Sequence, residues 1–221
     1  MNPPCWLEEA HTRVVDAAGR LRKVGAVREL PSLSAARSLA ERYLSPLGSR
    51  WQHTQAVAAR ALELARAVPA DERNLLVIAG WWHDLGYAPE LVVTGFHPLD
   101  GANFLYVQGN SERLCALIAH HSAAEFEAEE RGLLDSLAVW PREEGAVADA
   151  LWTADMTTGP DGRRVTYSER LEEILSRYAR ESFVSRAMRR ARPTIESAVA
   201  RTTSRLVVTE RRIATTQSTT G

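Results

Sequence analysis

Histidine and aspartate side chains recur along this chain in an order that is typical of metal sites. Five of the six histidines form one series with two aspartates: His53, His83 with Asp84, His97, His120 with His121, and Asp155. Imidazole nitrogens and carboxylate oxygens are the ligands by which proteins hold divalent transition metals. A single histidine is more often a core or surface residue satisfied by a hydrogen bond, so the prediction of a metal centre depends on the whole series.

The segments around these residues indicate that most of them point into the core. Apolar residues repeat at helical spacing in four segments, and one candidate ligand continues each apolar stripe: His53, His83, His121 and Asp155. His53, for example, lies one turn before Val57. His120 is turned away from its stripe by roughly 100° of helix, so His121 is the better-aimed member of that pair.

The aspartate at position 155 needs a positively charged partner, because it continues an apolar helix face. An ionised carboxylate buried without a partner costs several kcal/mol. An arginine could supply the charge, but it would leave the core-facing imidazoles unexplained. A metal centre satisfies all of these groups at once. The sequence therefore favours a metal.

The order of His, His-Asp and Asp on successive helices resembles the HD superfamily of metal-dependent phosphohydrolases. Judged by motif order and helical rhythm, the resemblance covers roughly residues 34 to 200. It implies that the four ligands naming the superfamily are His53, His83, Asp84 and Asp155. It also implies that His97, which is followed by Gly101-Ala102, and the pair His120-His121 supply the additional ligands of two-metal members.

Differences between this chain and the motifs of individual HD subclasses narrow the choice of subclass. The stretch His83-Asp84-Leu85-Gly86 is close to the His-Asp-Ile-Gly variant. No Gly-Tyr-Pro follows His121, which argues against the cyclic-dinucleotide phosphodiesterases, and the Glu-Asp pair of alarmone hydrolases is missing after the motif. Symmetrical diadenosine-tetraphosphate hydrolases and HD-type di-iron oxygenases are nearer in ligand order.

The function that this resemblance implies is hydrolysis of a nucleotide or another small phosphoester by a metal-activated water. One or two divalent ions of iron, manganese, cobalt or zinc would serve as cofactors. Asp84 would bridge the two ions and act as the catalytic carboxylate. Two alternatives stay open: an HD-type di-iron oxygenase, and a non-catalytic HD protein that binds a metal or nucleotide. The sequence does not separate phosphomonoesterase from phosphodiesterase activity.

Composition and charge exclude several other kinds of partner. The chain has 221 residues, 27 basic and 28 acidic side chains, and a formal net charge of -1. A chain of this length can bury one sizeable core, and its balanced charge argues against binding to duplex nucleic acid. No apolar run reaches the length of about 18 residues that a membrane helix needs. The two cysteines stand at no metal-like spacing and no signal run is evident, which together predict a cytoplasmic protein.

The fold class predicted from these patterns is all-α, a compact helical HD-domain bundle with the metal site in its core, because most segments have a period of 3.6 and none alternates convincingly. We expect an N-terminal helical extension over 1–33, the HD domain over 34–201, and a disordered tail over 202–221. Ser34 is the expected cap of the first domain helix. Further helices are expected over 125–137, 167–180 and 183–201.

Substrate-binding residues are not assigned by the sequence. The turn-rich segment after Asp155 contains Thr157, Thr158 and Arg163, which could bind phosphate, but an ordinary Pro-Asp-Gly turn is the favoured interpretation. Trp81 and Trp82 suggest base stacking, yet on a helix that leads into the core at least one of them is expected to be packing. Oligomeric state is also left open.

Overall fold

Helices account for almost all of the regular structure in this protein. A computed structural model describes residues 29–218. Those residues contain ten α-helices and no strand: α1 (Leu33–Leu44), α2 (Ser49–Leu64), α3 (Arg73–Trp82), α4 (His97–Val107), α5 (Glu112–Ala119), α6 (Glu125–Glu130), α7 (Leu134–Leu137), α8 (Ala146–Met156), α9 (Tyr167–Arg177) and α10 (Phe183–Ser218). The prediction of an all-α bundle is confirmed.

Helices α2, α3 and α8 pack against one another and form the centre of the bundle. Helix α3 is apolar on nearly every face, and seven of its ten residues are buried. A side-chain carbon at Gly80 of α3 would lie 3.1 Å from Cβ of Ala61 on α2. The glycine therefore lets these two helices approach closely, and this contact fixes the backbone from which His53 and His83 extend.

Helices α4 and α5 pack together on one side of this centre, and α10 runs along α8. The side chains between the helices are apolar and almost completely buried, among them Ile78, Leu105, Ile118 and Leu151. Burial of such side chains contributes about 1.5 to 3 kcal/mol each, which makes the bundle a firm scaffold for polar groups at its centre.

The N-terminal end of the first helix lies two residues earlier than the sequence predicts. The Ser32 hydroxyl accepts a hydrogen bond from the backbone N–H of Ala35 at 3.1 Å, so Ser32 caps α1. Ser34 was the expected cap, but it lies inside the helix. Ser32 takes this role because its backbone is extended, as the capping position requires. The predicted N-terminal extension lies mostly outside the described residues.

The charged segment over 125–137 forms two helices, α6 and α7, and not one. Gly132 stands between them with a φ of 70°, a left-handed conformation that stops a helix and that glycine adopts without strain. Helix α9 ends at Arg177, three residues before the predicted end, and is capped by Thr166 and Glu169 at its start.

The last helix continues through 202–218, where the sequence predicts a disordered tail, so that prediction is wrong for this stretch. The reason is tertiary contact. Thr202 is fully buried and accepts a hydrogen bond from the Thr153 hydroxyl of α8 at 3.1 Å. Arg205 donates to Asp149 of the same helix at 2.7 Å. These contacts hold a threonine-rich sequence in a helix that its composition alone does not favour.

The helices of the described chain are all too short or too polar to cross a membrane.

Candidate metal centre

Six of the seven candidate ligands meet at the centre of the bundle. His53 comes from the second turn of α2, and His83 and Asp84 directly follow α3. His97 is the first residue of α4, and His121 and Asp155 come from the turn after α5 and the last turn of α8. All are buried except His97, whose side chain is 17% exposed. Segments distant in sequence therefore deliver imidazoles and carboxylates to one place.

The first ligand group consists of His53, His83 and Asp155. Nε2 of His53 lies 3.0 Å from Oδ1 of Asp155, and Nε2 of His83 lies 3.9 Å from the same oxygen. One ligand atom from each of the three residues lies within 4.8 Å of the others. Such spacing allows one ion to contact all three atoms, since metal–ligand bonds are about 2.0 to 2.2 Å long.

The second ligand group consists of Asp84, His97 and His121. Nε2 of His97 lies 3.4 Å from Oδ1 of Asp84 and 3.1 Å from Nε2 of His121. These ligand atoms also lie within 4.8 Å of one another. The second group thus offers the same chemistry as the first, with two imidazoles and one carboxylate.

Asp84 connects the two ligand groups through its two carboxylate oxygens. Its Oδ1 faces His97 of the second group, while its Oδ2 lies 3.3 Å from Nε2 of His83 and 3.9 Å from Nε2 of His53. An aspartate in this position can give one oxygen to each of two neighbouring ions, which is how paired metal sites are commonly joined.

The outer nitrogen of three imidazoles faces a backbone carbonyl. Nδ1 of His53 lies 3.0 Å from the carbonyl of Gly159, and Nδ1 of His83 lies 2.9 Å from that of Gly80. Nδ1 of His121 lies 2.6 Å from the carbonyl of Ile118. A carbonyl only accepts hydrogen bonds, so each Nδ1 carries the proton and, in the neutral ring, each Nε2 presents a lone pair to the cluster.

One of these inner nitrogens, Nε2 of His83, is buried and makes no hydrogen bond to the described residues, although it lies 3.3 Å from Oδ2 of Asp84. A buried polar atom without a partner costs about 1 to 3 kcal/mol. A cation between His83, His53 and Asp155 would remove that cost. The residues present therefore fit one or two divalent metal ions.

The charges of the site favour ionised carboxylates. Burial opposes ionisation of Asp84, but Arg50 and the protonated form of His83 outweigh it and hold the pKa of Asp84 well below its usual range. Burial likewise opposes ionisation of Asp155, whose pKa is nevertheless lowered by His53 and His83. In contrast, burial lowers the pKa of His97 and of His121, which keeps those imidazoles neutral and able to bind a metal.

The comparison with protein families agrees with this geometry. Residues 50–158 match the family model described as HD domain, and all seven candidate ligands lie within the match. This part of the chain is an HD domain. The resemblance to the HD superfamily of metal-dependent phosphohydrolases is confirmed. Searches of the curated proteins and of the solved structures each found no match.

The seventh candidate, His120, lies outside the cluster of the HD domain. Its Nε2 lies 2.8 Å from the carbonyl of Trp140, and burial lowers its pKa. The chain turns sharply after this residue, since Ser122 and Ala123 both have positive φ values, 49° and 58°. Of the neighbouring pair, the structure therefore places His121 beside Asp84 and His97, and His120 in the core beside Trp140.

Two further residues of the HD domain donate hydrogen bonds to the carboxylates of Asp84 and Asp155. Neither residue was predicted from the sequence. Arg50 donates to Oδ2 of Asp84 at 2.7 Å, and the Ser122 hydroxyl donates to Oδ2 of Asp155 at 2.5 Å. Arg50 lies three residues before His53, on the same helix face, and that spacing was an available signal. No sequence pattern pointed to Ser122. Its hydroxyl is directed at Asp155 by a left-handed backbone conformation, which arises only in the folded chain.

A ring stack places His97 and Arg50 on either side of Tyr87. The Tyr87 and His97 rings are stacked with centroids 3.9 Å apart, and the Arg50 guanidinium lies 4.0 Å from the Tyr87 centroid. A cation over an aromatic face is favourable. Tyr87 therefore orients both the exposed ligand and the arginine that neutralises Asp84.

The loop before His97 is shaped by the buried carboxylate of Asp100. It accepts hydrogen bonds from the backbone N–H groups of Val93, Thr94 and Gly95, at 3.2, 2.9 and 3.1 Å. Burial raises the pKa of Asp100 even though these bonds lower it. The loop delivers the chain to the start of α4, so Asp100 positions His97.

Gly86 lets the turn after Asp84 approach α4 closely. Helix α3 ends at Trp82, and Gly86 lies in a 3₁₀ turn over Leu85–Tyr87. A side-chain carbon at Gly86 would lie 2.1 Å from the carbonyl oxygen of His97 and 2.7 Å from the nitrogen of Gly101. Only glycine lets the turn after Asp84 pack this closely on α4.

The remaining sequence candidates take structural roles. The hydroxyls of Thr157 and Thr158 donate to backbone carbonyls one turn earlier in α8, at 2.6 and 2.7 Å. Arg163 follows a tight turn in which the N–H of Gly162 donates to the Gly159 carbonyl. Trp82 is buried and donates to the carbonyl of Ala36 at 2.9 Å. These contacts agree with the interpretation of the segment after Asp155 as an ordinary turn and of Trp82 as a packing residue.

A cleft opens onto one side of the cluster. Four cluster residues line it, namely Asp84, His97, His121 and Asp155, and the other walls come from Arg50, Tyr87 and the helices α9 and α10. His53 and His83 are not among the lining residues. A sphere of the size of a water molecule can reach about 100 Å³ of space within the cleft. This volume is below the range of small-molecule sites, so a larger ligand would extend into the open mouth of the cleft.

Proposed function

We propose that the protein is a metal-dependent phosphohydrolase that acts on a nucleotide or another small phosphoester. The observation that carries this proposal is the pair of ligand groups joined by the two oxygens of Asp84, at the base of an open cleft. Membership of residues 50–158 in the HD domain family supports it.

The donor set favours particular metals. Each ligand group combines two imidazoles with one carboxylate, a mixture suited to iron, manganese, cobalt or zinc more than to calcium. When bound, such ions would supply a water that ionises near neutral pH and positive charge for the phosphate oxygens.

Each cluster residue has a proposed task in this chemistry. His53, His83 and Asp155 would hold an ion at the deeper position, and His97 and His121 would hold one beside the cleft. Asp84 is shared between the two positions. Because Arg50 keeps the pKa of Asp84 low, Asp84 would serve both positions as an ionised carboxylate ligand and would not retain a proton taken from a water molecule.

The surroundings of the cluster suit a phosphorylated substrate. Ser122 and the backbone carbonyls that face the outer imidazole nitrogens fix the ligands before substrate binds, so little ordering is left for the reaction step. The cleft would give the phosphate group of a substrate access to the candidate ligands that line it.

The test combines metal analysis with a substrate screen. Protein purified without added ions is assayed for metal content and then for phosphate release from nucleotides, dinucleoside polyphosphates and simple phosphoesters. Asp84→Ala should abolish phosphate release, and Asp135→Ala, which removes an exposed carboxylate from α7, should leave it unchanged. An iron pair with oxygen uptake and no phosphate release from any compound would overturn the proposal in favour of an oxygenase.

A further inference from the structure

The cleft has one wall that lies outside the family match. Helices α9 and α10 follow residue 158, and they contribute two arginines, Arg170 and Arg177, and several apolar side chains to the cleft lining. This wall faces the same space as Asp84 and His97. Residues that distinguish one substrate from another are expected here, because the ligands on the opposite side select only the metal chemistry.

Arg170 is the exceptional residue of this wall. Its side chain is only 5% exposed, a rare state for arginine. Nη1 donates to Oε2 of Glu173 at 2.5 Å, while Nε is buried without any partner in the described chain. A guanidinium has five N–H donors in a rigid fork, and a buried donor without a partner is costly. Arg170 therefore has hydrogen-bonding capacity that Glu173 does not use.

Arg170, Glu173 and Arg177 together carry one net positive charge. Glu173 binds Arg177 as well, whose Nε lies 2.6 Å from its Oε1. One carboxylate thus faces two guanidinium groups, and one positive charge of the trio is left over. Because these groups lie partly away from water, that charge acts more strongly on a ligand in the cleft than it would at an open surface.

Apolar side chains lie beside Arg170 in the cleft wall. Ile174 follows it by one helical turn, and Val184 and Met188 of α10 lie in the same lining. A ligand of this wall would combine an anionic group with a weakly polar body. This pattern differs from the cluster side of the cleft, where carboxylates and imidazoles dominate.

We propose that Arg170 binds a phosphate oxygen of the substrate and so selects phosphoesters whose organic part can pack against Ile174, Val184 and Met188. The inference rests on the function proposed above. A guanidinium fork matches two phosphate oxygens, and such charge-assisted hydrogen bonds are among the strong ones in proteins. The binding residue would then come from α9, and the metal ligands from the HD domain.

The test measures binding of inorganic phosphate to the metal-loaded full chain by calorimetry. Arg170→Met keeps the apolar part of the side chain and removes the charge, while Glu173 keeps Arg177 as a partner. We expect this variant to bind phosphate about 10- to 100-fold more weakly, the worth of one or two charge-assisted hydrogen bonds. Arg192→Met removes an exposed arginine that also pairs with a glutamate, Glu196, and should bind phosphate as the unaltered protein does.

Unchanged phosphate affinity in folded Arg170→Met would overturn the inference. If that variant fails to fold, as judged by circular dichroism, Arg170→Gln replaces it, with the same weakening expected and the same overturning result. Phosphate binding also separates the two proposals. Arg170-dependent binding without hydrolysis of any phosphoester would refute only the proposed function. Hydrolysis with phosphate affinity and KM unchanged in the Arg170 variants would refute only the role of Arg170.

Discussion

The two ligand groups contain the same residue types but lie in different surroundings. His53 and His83 of the first group are at most 1% exposed and do not line the cleft. All three residues of the second group line the cleft, and His97 is partly exposed at the start of α4. The comparison indicates that one position belongs to the core and the other to the boundary between core and solvent.

This difference has a consequence for metal binding. The first group stands on or beside α2, α3 and α8, which are packed together, so its geometry is fixed by the core. The second group depends on the loop before α4, which Asp100 shapes, and on the turn that contains Gly86. We expect a firmly held ion in the first position and a more readily exchanged ion in the second.

The largest effect is expected from His83→Ala, which removes a ligand of the first group. The variant should lose metal from both positions, because Asp84 follows directly in the chain and faces both groups. Phosphate release should fall by about 1,000-fold or more, equal to about 4 kcal/mol of transition-state stabilisation. Metal stoichiometry and the hydrolysis rate measure this. A variant that keeps two ions per chain would contradict the assignment of the first group.

A smaller loss is expected from His97→Ala. This change should weaken the second ion by about 10- to 100-fold and leave the first in place, so that the purified variant carries about one ion per chain. Metal titration of the chelated protein measures both affinities. If the variant loses the ion of the first group before that of the second, the first group is not the firmer site and the expectation is wrong.

Asp100→Asn tests whether the loop before α4 positions the second group. An asparagine cannot accept all the hydrogen bonds that the carboxylate accepts from Val93, Thr94 and Gly95. We expect a loss of about 1 to 3 kcal/mol in the free energy of unfolding and about 10-fold weaker binding of the second ion. Thermal unfolding and metal titration give the two values. Weakening of the first ion alone would show that the loop does not act on His97.

The smallest effect is expected from His120→Gln. Glutamine can still donate to the carbonyl of Trp140, so the cost in stability should be about 1 kcal/mol. Metal content and hydrolysis should change by less than about two-fold. The matched variant His121→Gln should lose the second ion. If the two variants exchange these results, the chain turns differently after α5 than described.

Much of the fold and of the candidate site could be predicted from periodicity. Apolar spacing of 3.6 residues gave the helical class and the inward direction of His53, His121 and Asp155. The same spacing turned His120 away from the stripe, and in the structure His120 bonds to Trp140 outside the cluster. These inferences succeed because the direction of a side chain on a helix follows from its local position alone.

Other features could not be predicted from local pattern. Ser122 reaches Asp155 through a left-handed backbone, and Gly86 is required by a contact with α4, which is distant in the chain. Residues 202–218 have the composition of a tail, yet Thr202 and Arg205 fix them on α8. In each case the deciding interaction joins residues that are far apart in sequence.

The chain alone therefore determined which residues could bind a metal and that helices would carry them. Only the tertiary structure decided how those ligands divide into two groups, which group borders the cleft, and that Arg170 faces the same space. The physical reason is that ligand type and helical direction are local properties, whereas distance, burial and access to solvent arise only when the helices pack together.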